Sequence, residues 1–132
     1  MDLEIRTKIK VTEQEIEDIF VGAIEGGISY WCKEIKMPTT IPAEVNQKES
    51  FSIRCSEIVQ NGGEIYLMVD MDDDGFGESK RKLNMDRIKR GWSKYFNDWH
   101  SPVYGEDSSG DRDATHADVI FQFAVFGEIV FG

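Results

Sequence analysis

A chain of 132 residues that is 40% hydrophobic and 11% aromatic has material for one folded core and is short for two. Its 25 acidic against 15 basic residues leave a formal net charge of −10, which argues against direct association with nucleic acid. No apolar run reaches the ~18 residues of a membrane span, the start MDLEIRTKIK lacks the layout of a secretory signal, and Cys32 and Cys55 suit neither a disulfide framework nor a zinc ribbon. A cytoplasmic protein with free thiols and no membrane partner is expected.

In chain order, Leu3, Ile5, Ile9 and Val11 alternate with Glu4, Arg6, Lys8 and Lys10, the period of a half-buried strand. Thr12 and Glu15 then have capping-box spacing, and Ile16, Ile19, Phe20, Ala23 and Ile24 form a helical stripe that extends in register through Ile28 and Trp31. A helix to about Lys33 is predicted, across Gly26 and Gly27, which are tolerated if another element approaches the backbone closely. Glu34 to Ser50 reads as a connecting loop, and Phe51 to Gln60 as a short strand turning into a helical turn, ended by Asn61, Gly62 and Gly63.

Glu64 to Asn84 reads as a hairpin with Ile65, Leu67 and Val69 inward and an Asp-Gly turn at its tip. Asn84 is the predicted N-cap of a helix with Met85, Ile88, Trp92, Phe96 and Trp99 on one face. SPVYGEDSSGDRD reads as a polar loop, and a final helix from about Asp113 or Thr115 is apolar almost all round, the mark of a central core helix. The expected fold is α+β: a single small domain over residues 1–132, an antiparallel sheet of the N-terminal strand plus the central hairpin, packed on about three helices.

The hairpin tip concentrates chemistry. Asp70, Asp72, Asp73, Asp74 and Glu78 fall within nine residues. Counted from Asp70, the run reproduces the first half of a calcium-binding EF-hand loop, with Asp72, Asp74 and Gly75 in place. The second half fails, since the closing bidentate carboxylate is replaced by Arg81. A solvated turn is the simpler reading, and a recognition surface the functional one: carboxylates along an edge can imitate phosphates to a protein that grips nucleic acid. Glu106, Asp107 and Asp111 would form a second acidic edge.

Between Lys80 and Lys94 seven basic residues meet one acid, so that this segment is +6 and the rest of the chain −16. It reads as a solvated helix face, or as a site in which Lys82, Arg87, Arg90 and Lys94 hold a nucleotide and Trp92 or Tyr95 stacks on it. His100 and His116 have no metal-ligand spacing with each other or with the cysteines, and no phosphate-binding loop or nucleophile motif is present. No catalytic residue, metal or cofactor is expected.

VTEQEIEDIFVGAIEGGISYWC and DATHADVIFQFAVFGEIVFG, with NGGEIYL and RIKRGWSKYF more loosely, resemble a family of short acidic proteins encoded by phages and prophages of Firmicutes. The resemblance implies a context in which small non-enzymatic proteins inhibit host machinery, anti-CRISPR proteins among them, and it assigns no residue a role. The expected function is inhibition of a host defence protein, a nucleic-acid-binding effector, through the acidic surface. Sequestration of a nucleotide immune signal and calcium binding are the alternatives.

Overall fold

Thr12 begins the first helix as its spacing predicts: its hydroxyl accepts the Glu15 amide at 3.1 Å, and the Glu15 carboxylate accepts the Thr12 amide at 3.3 Å. The computed structural model describes residues 10–70, 78–99 and 114–132, so the N-terminal strand expected from Leu3 to Val11 lies almost wholly outside the described residues.

Helix α1 (Glu13–Gly22) buries Ile16, Ile19 and Phe20 and continues as a π-helical turn, Ala23–Gly27. There it stops, six residues short of the predicted end at Lys33. Gly26 leaves helical geometry, and the chain turns through Ile28 to Trp31 into strand β1 (Cys32–Lys36). The close approach that would justify a glycine is nonetheless present, because a Cβ at Gly27 would meet the Ala114 carbonyl oxygen at 2.7 Å.

β1 corrects the loop expected from Glu34 onward. Its alternation is hidden by an irregularity in pairing between Cys32 and Glu34, which lets Lys33 and Glu34 both face outward. Phe51 to Gln60 is likewise corrected, from strand and turn to a complete helix, α2 (Phe51–Gln60). Its buried positions Ser52, Cys55, Ser56 and Val59 have helical spacing, but two of them are serines, so the apolar residues alone suggest a different period. Ser52 is satisfied by donating to Glu25 at 2.7 Å, and Ser56 accepts from Gln60 at 2.8 Å.

The hairpin is present as strands β2 (Ile65–Asp70) and β3 (Glu78–Leu83), and β1 pairs with the other side of β2, giving the antiparallel order β1-β2-β3. Ile65, Leu67 and Val69 are fully buried, as their alternation predicts. The third strand of the described sheet is therefore β1, where the N-terminal segment was expected.

Asn84 caps helix α3 (Met85–Lys94), its side-chain oxygen accepting the Arg87 amide at 3.1 Å, and a π-helical turn (Tyr95–Trp99) continues it. Helix α4 (Ala114–Phe126) is buried at every position from Ala117 to Val125. It packs against α1, α3 and β3. Phe121 meets Phe20 edge to face, and a Cβ on Gly91 of α3 would stand 2.5 Å from the Ile120 carbonyl oxygen of α4. The result is the expected α+β architecture: a three-stranded antiparallel sheet and four helices among the described residues, around a central C-terminal helix.

Candidate functional site

Six consecutive cross-strand pairs join β2 to β3, from Ile65 with Leu83 to Asp70 with Glu78. The last pair consists of two acidic residues, and the seven-residue connection after it carries Asp72, Asp73 and Asp74. The strands thus bring the most acidic stretch of the chain to one end of the sheet. Asp72, Asp73 and Asp74, like Glu106, Asp107 and Asp111, lie outside the described residues. For calcium, the frame differs from the helix–loop–helix of an EF-hand, since Asp70 and Glu78 close a β-ladder. Arg81, at the closing position, places its guanidinium over the Phe126 ring, 5.4 Å from the centroid.

The return strand carries the opposite charge. Lys80 and Lys82 are exposed on β3, on the side of the sheet away from Leu83 and the core. Lys82 is paired with Tyr66, whose other neighbour across β1 is Lys36, so a lysine–tyrosine–lysine row crosses the sheet's outer face. Lys80 lies 4.4 Å from the Tyr66 ring centroid. The Tyr66 hydroxyl donates a short hydrogen bond to Glu64, which raises its pKa. This outward aromatic was legible in the alternation that predicts Ile65 and Leu67 inward.

The basic residues of α3 divide between structure and surface. Arg87 donates to the Lys82 carbonyl oxygen at 2.7 Å, tying the first turn of α3 to β3. Arg90 donates to the Phe123 carbonyl at 3.2 Å, which also accepts the Gly127 amide at 3.0 Å, and to that of Ala124, so it complements the negative end of α4. Desolvation against α4, with the nearby Arg87 charge second, lowers the Arg90 pKa. Lys94 is half-buried and makes no hydrogen bond or ion pair among the described residues. Trp92 is 4% and Tyr95 1% exposed, and both belong to the core, where Trp92 stacks with Phe96 at 5.4 Å. The structure therefore brings Lys82, Arg87 and Arg90 together and separates them from the two aromatics predicted to stack on a ligand.

A second constellation has no precursor in the sequence reading. Asp118 of α4 is buried, and its carboxylate accepts the Tyr30 hydroxyl at 2.5 Å, the Trp31 indole N–H at 2.7 Å and the Gln122 amide at 3.0 Å. Gln122 in turn accepts the Val130 and Phe131 amides at 2.9 and 2.8 Å and donates to the Phe131 carbonyl. Phe131 lies parallel to Trp31, 5.8 Å between ring centroids. The node joins the turn before β1, the centre of α4 and the C-terminal residues. Desolvation, then the bond to Asp118, pushes the Tyr30 pKa up to about 12, although the residue as a whole is 57% exposed. Each polar atom has a partner within the node, which is the pattern of a structural network.

Cys32 and Cys55 are free and buried, and burial pushes their thiols up to about 11 and about 12, which suppresses thiolate nucleophilicity. Among the described residues no three His, Cys, Asp or Glu side chains converge to hold a metal ion. No helix of the described residues is long and apolar enough to cross a membrane.

Compared with known proteins, the chain matches no family model, no curated protein and no solved structure.

Proposed function

We propose that this chain is a non-enzymatic inhibitor of phage origin, anti-CRISPR or otherwise anti-defence in type, that binds a nucleic-acid-handling protein of the host through the acidic end of the β2–β3 hairpin. The observation that carries the reading is the six-pair ladder ending at Asp70 and Glu78. A regular ladder anchored by the buried residues Ile65, Leu67 and Val69 fixes the ends of β2 and β3 from which the acidic connection runs. Negative groups at the end of a fixed element suit a partner whose own surface is built to grip phosphates, and long-range attraction would speed and orient the encounter. The resemblance to short acidic phage proteins supplies the biological context.

Two features weigh against the alternatives. A nucleotide-sequestering site needs an accessible ring beside its cations, and Trp92 and Tyr95 are in the core. An EF-hand-type site needs a twelfth-position carboxylate, and Arg81 is engaged with Phe126. Immobilised protein exposed to host extract is expected to retain a nucleic-acid-binding protein at low salt and release it as salt rises between about 50 and 200 mM. Calorimetric heat with a cyclic or ADP-ribose-type nucleotide, and no such retention, would replace this reading with the sequestering one.

A further inference from the structure

We propose that the cavity between the start of α1 and α3 binds a small apolar carboxylate, its hydrocarbon body inside and its head group at Lys89. This goes beyond the hairpin reading: it uses other residues and needs no host protein, so either reading can fail alone.

One cavity of about 360 Å³ is lined by both elements. That is near the lower end of the roughly 300 to 1,000 Å³ of small-molecule sites, so it suits a compact ligand. Its inner wall is apolar, made by Ile16 of α1 with Ile88, Trp92 and Phe96 of α3, all buried. The half-buried Val11 and Met85 complete the apolar lining. Trp92 is 4% exposed and has one face on Phe96, so it lends the cavity a wall and not a platform on which a base could stack.

The polar lining lies on one row of the same helix. Lys89, Ser93 and Asn97 recur at four-residue spacing, and all three are exposed. The Asn97 side-chain amide donates to the Ser93 hydroxyl at 3.3 Å, which keeps the row together where α3 passes into its π-helical turn. Lys89 makes no hydrogen bond or ion pair among the described residues, so its ammonium can take a head group without losing a partner. Apolar walls with a few convergent polar groups are the arrangement of a small-molecule site, the walls giving affinity and the polar groups orientation.

Among the described residues Lys89 is the only charged one in the lining. Asp86 stands one turn before it on α3 and makes no ion pair with it, and Glu13, Glu15, Glu17 and Asp18 stand on α1, all outside the lining. Glu15 accepts from Thr12, Glu17 and Asp18 each accept from Gln14 at 3.0 Å, and Glu13 and Glu17 line a separate polar cleft with Glu57. Asp70 and Glu78 close the far end of the β2–β3 ladder, five residues along β3 from Leu83. At the rise of a strand that is roughly 16 Å, beyond a Debye length of about 8 Å. One cation at an apolar mouth suits a monoanion, and a net charge of −10 disfavours a multiply charged ligand.

Calorimetric and backbone-amide NMR titrations of the purified chain with octanoate, phenylpropanoate, octanol and octylammonium test the proposal. Saturable binding of a carboxylate is expected, with amide shifts centred on Ser93 and Asn97. Octanoate bound above phenylpropanoate would make acyl chains the source of the ligand, and the reverse order aromatic acids. Lys89→Gln should weaken octanoate about two- to five-fold, the range of an exposed charge pair, and leave octanol unchanged. Ser93→Trp, which sets a large ring at the cavity, should abolish binding of both, with circular dichroism reporting the fold. Lys48→Gln, outside the cavity lining, should change nothing. No saturable binding, octylammonium bound as tightly as octanoate, a Lys89→Gln variant that weakens octanoate and octanol alike or neither, or unchanged binding by a folded Ser93→Trp would overturn the proposal.

Discussion

The Trp31 indole donates to the Asp118 carboxylate at 2.7 Å, joining the turn before β1 to the centre of the most buried helix in the described chain. Among the described residues the partners of that carboxylate are Trp31, Tyr30 and Gln122, all neutral donors. Asp118→Ala would leave the buried indole N–H unpaired and loosen the hold of Gln122 on the C-terminal residues. A loss of about 1 to 3 kcal/mol is expected in urea denaturation, the cost of orphaning buried polar groups. An unchanged midpoint would show that the node contributes nothing to stability.

Tyr30 gives the same node a signature in alkali. The folded phenol keeps its proton up to about 12, whereas an ordinary tyrosine releases it near 10. Its contribution to stability is therefore complete below about pH 10 and is lost as pH rises toward 12. The difference in ultraviolet titration between the parent protein and Tyr30→Phe should show this late midpoint, and a midpoint at the ordinary value would contradict the hydrogen bond to Asp118.

Gly91 sets the spacing of α3 and α4. A methyl group there would meet the Ile120 carbonyl oxygen at 2.5 Å and the Ala124 Cβ at 2.9 Å, and a helix backbone cannot yield as a side-chain tip does. Helix propensity alone would favour alanine by up to ~1 kcal/mol, but overpacking costs roughly 1 to 3 kcal/mol. Gly91→Ala should lower thermal stability, and a raised melting temperature would show that the helices part freely.

The cysteines provide a test of the core. Cys55 is fully buried and Cys32 nearly so, and burial pushes both thiols well above the usual range. At about pH 8 a thiol reagent should label the native protein slowly and both residues rapidly in denaturant. Fast labelling of one equivalent in the native state would place that thiol at the surface.

The sequence reading succeeded where one physical signal dominated. Thr12 with Glu15, and Asn84, identify helix starts because capping is local chemistry, and Ile65, Leu67 and Val69 identify β2 because one face is fully buried. It failed where side-chain chemistry disguised the period: α2 buries Ser52 and Ser56, and β1 is irregular at Lys33. At the site, the acidic run and its basic return were legible as charge. That Trp92 turns inward was legible in its helical stripe with Met85, Ile88 and Phe96, whereas the burial of Tyr95, outside that stripe, follows from the packing of α3 on α4. The Asp118 node hydrogen-bonds side chains up to 92 positions apart, beyond the reach of any motif.

The claim that the acidic end of the hairpin is the binding element is tested most directly by replacing Asp72, Asp73 and Asp74 together with serine. The measurement is capture of proteins from host extract, quantified by mass spectrometry, beside the melting temperature of the same preparation. A nucleic-acid-binding protein held by the parent chain is expected to be lost from the variant while the melting temperature stays nearly unchanged, since the buried residues Ile65, Leu67 and Val69 that anchor the hairpin are untouched. Equal capture by a folded variant would contradict it.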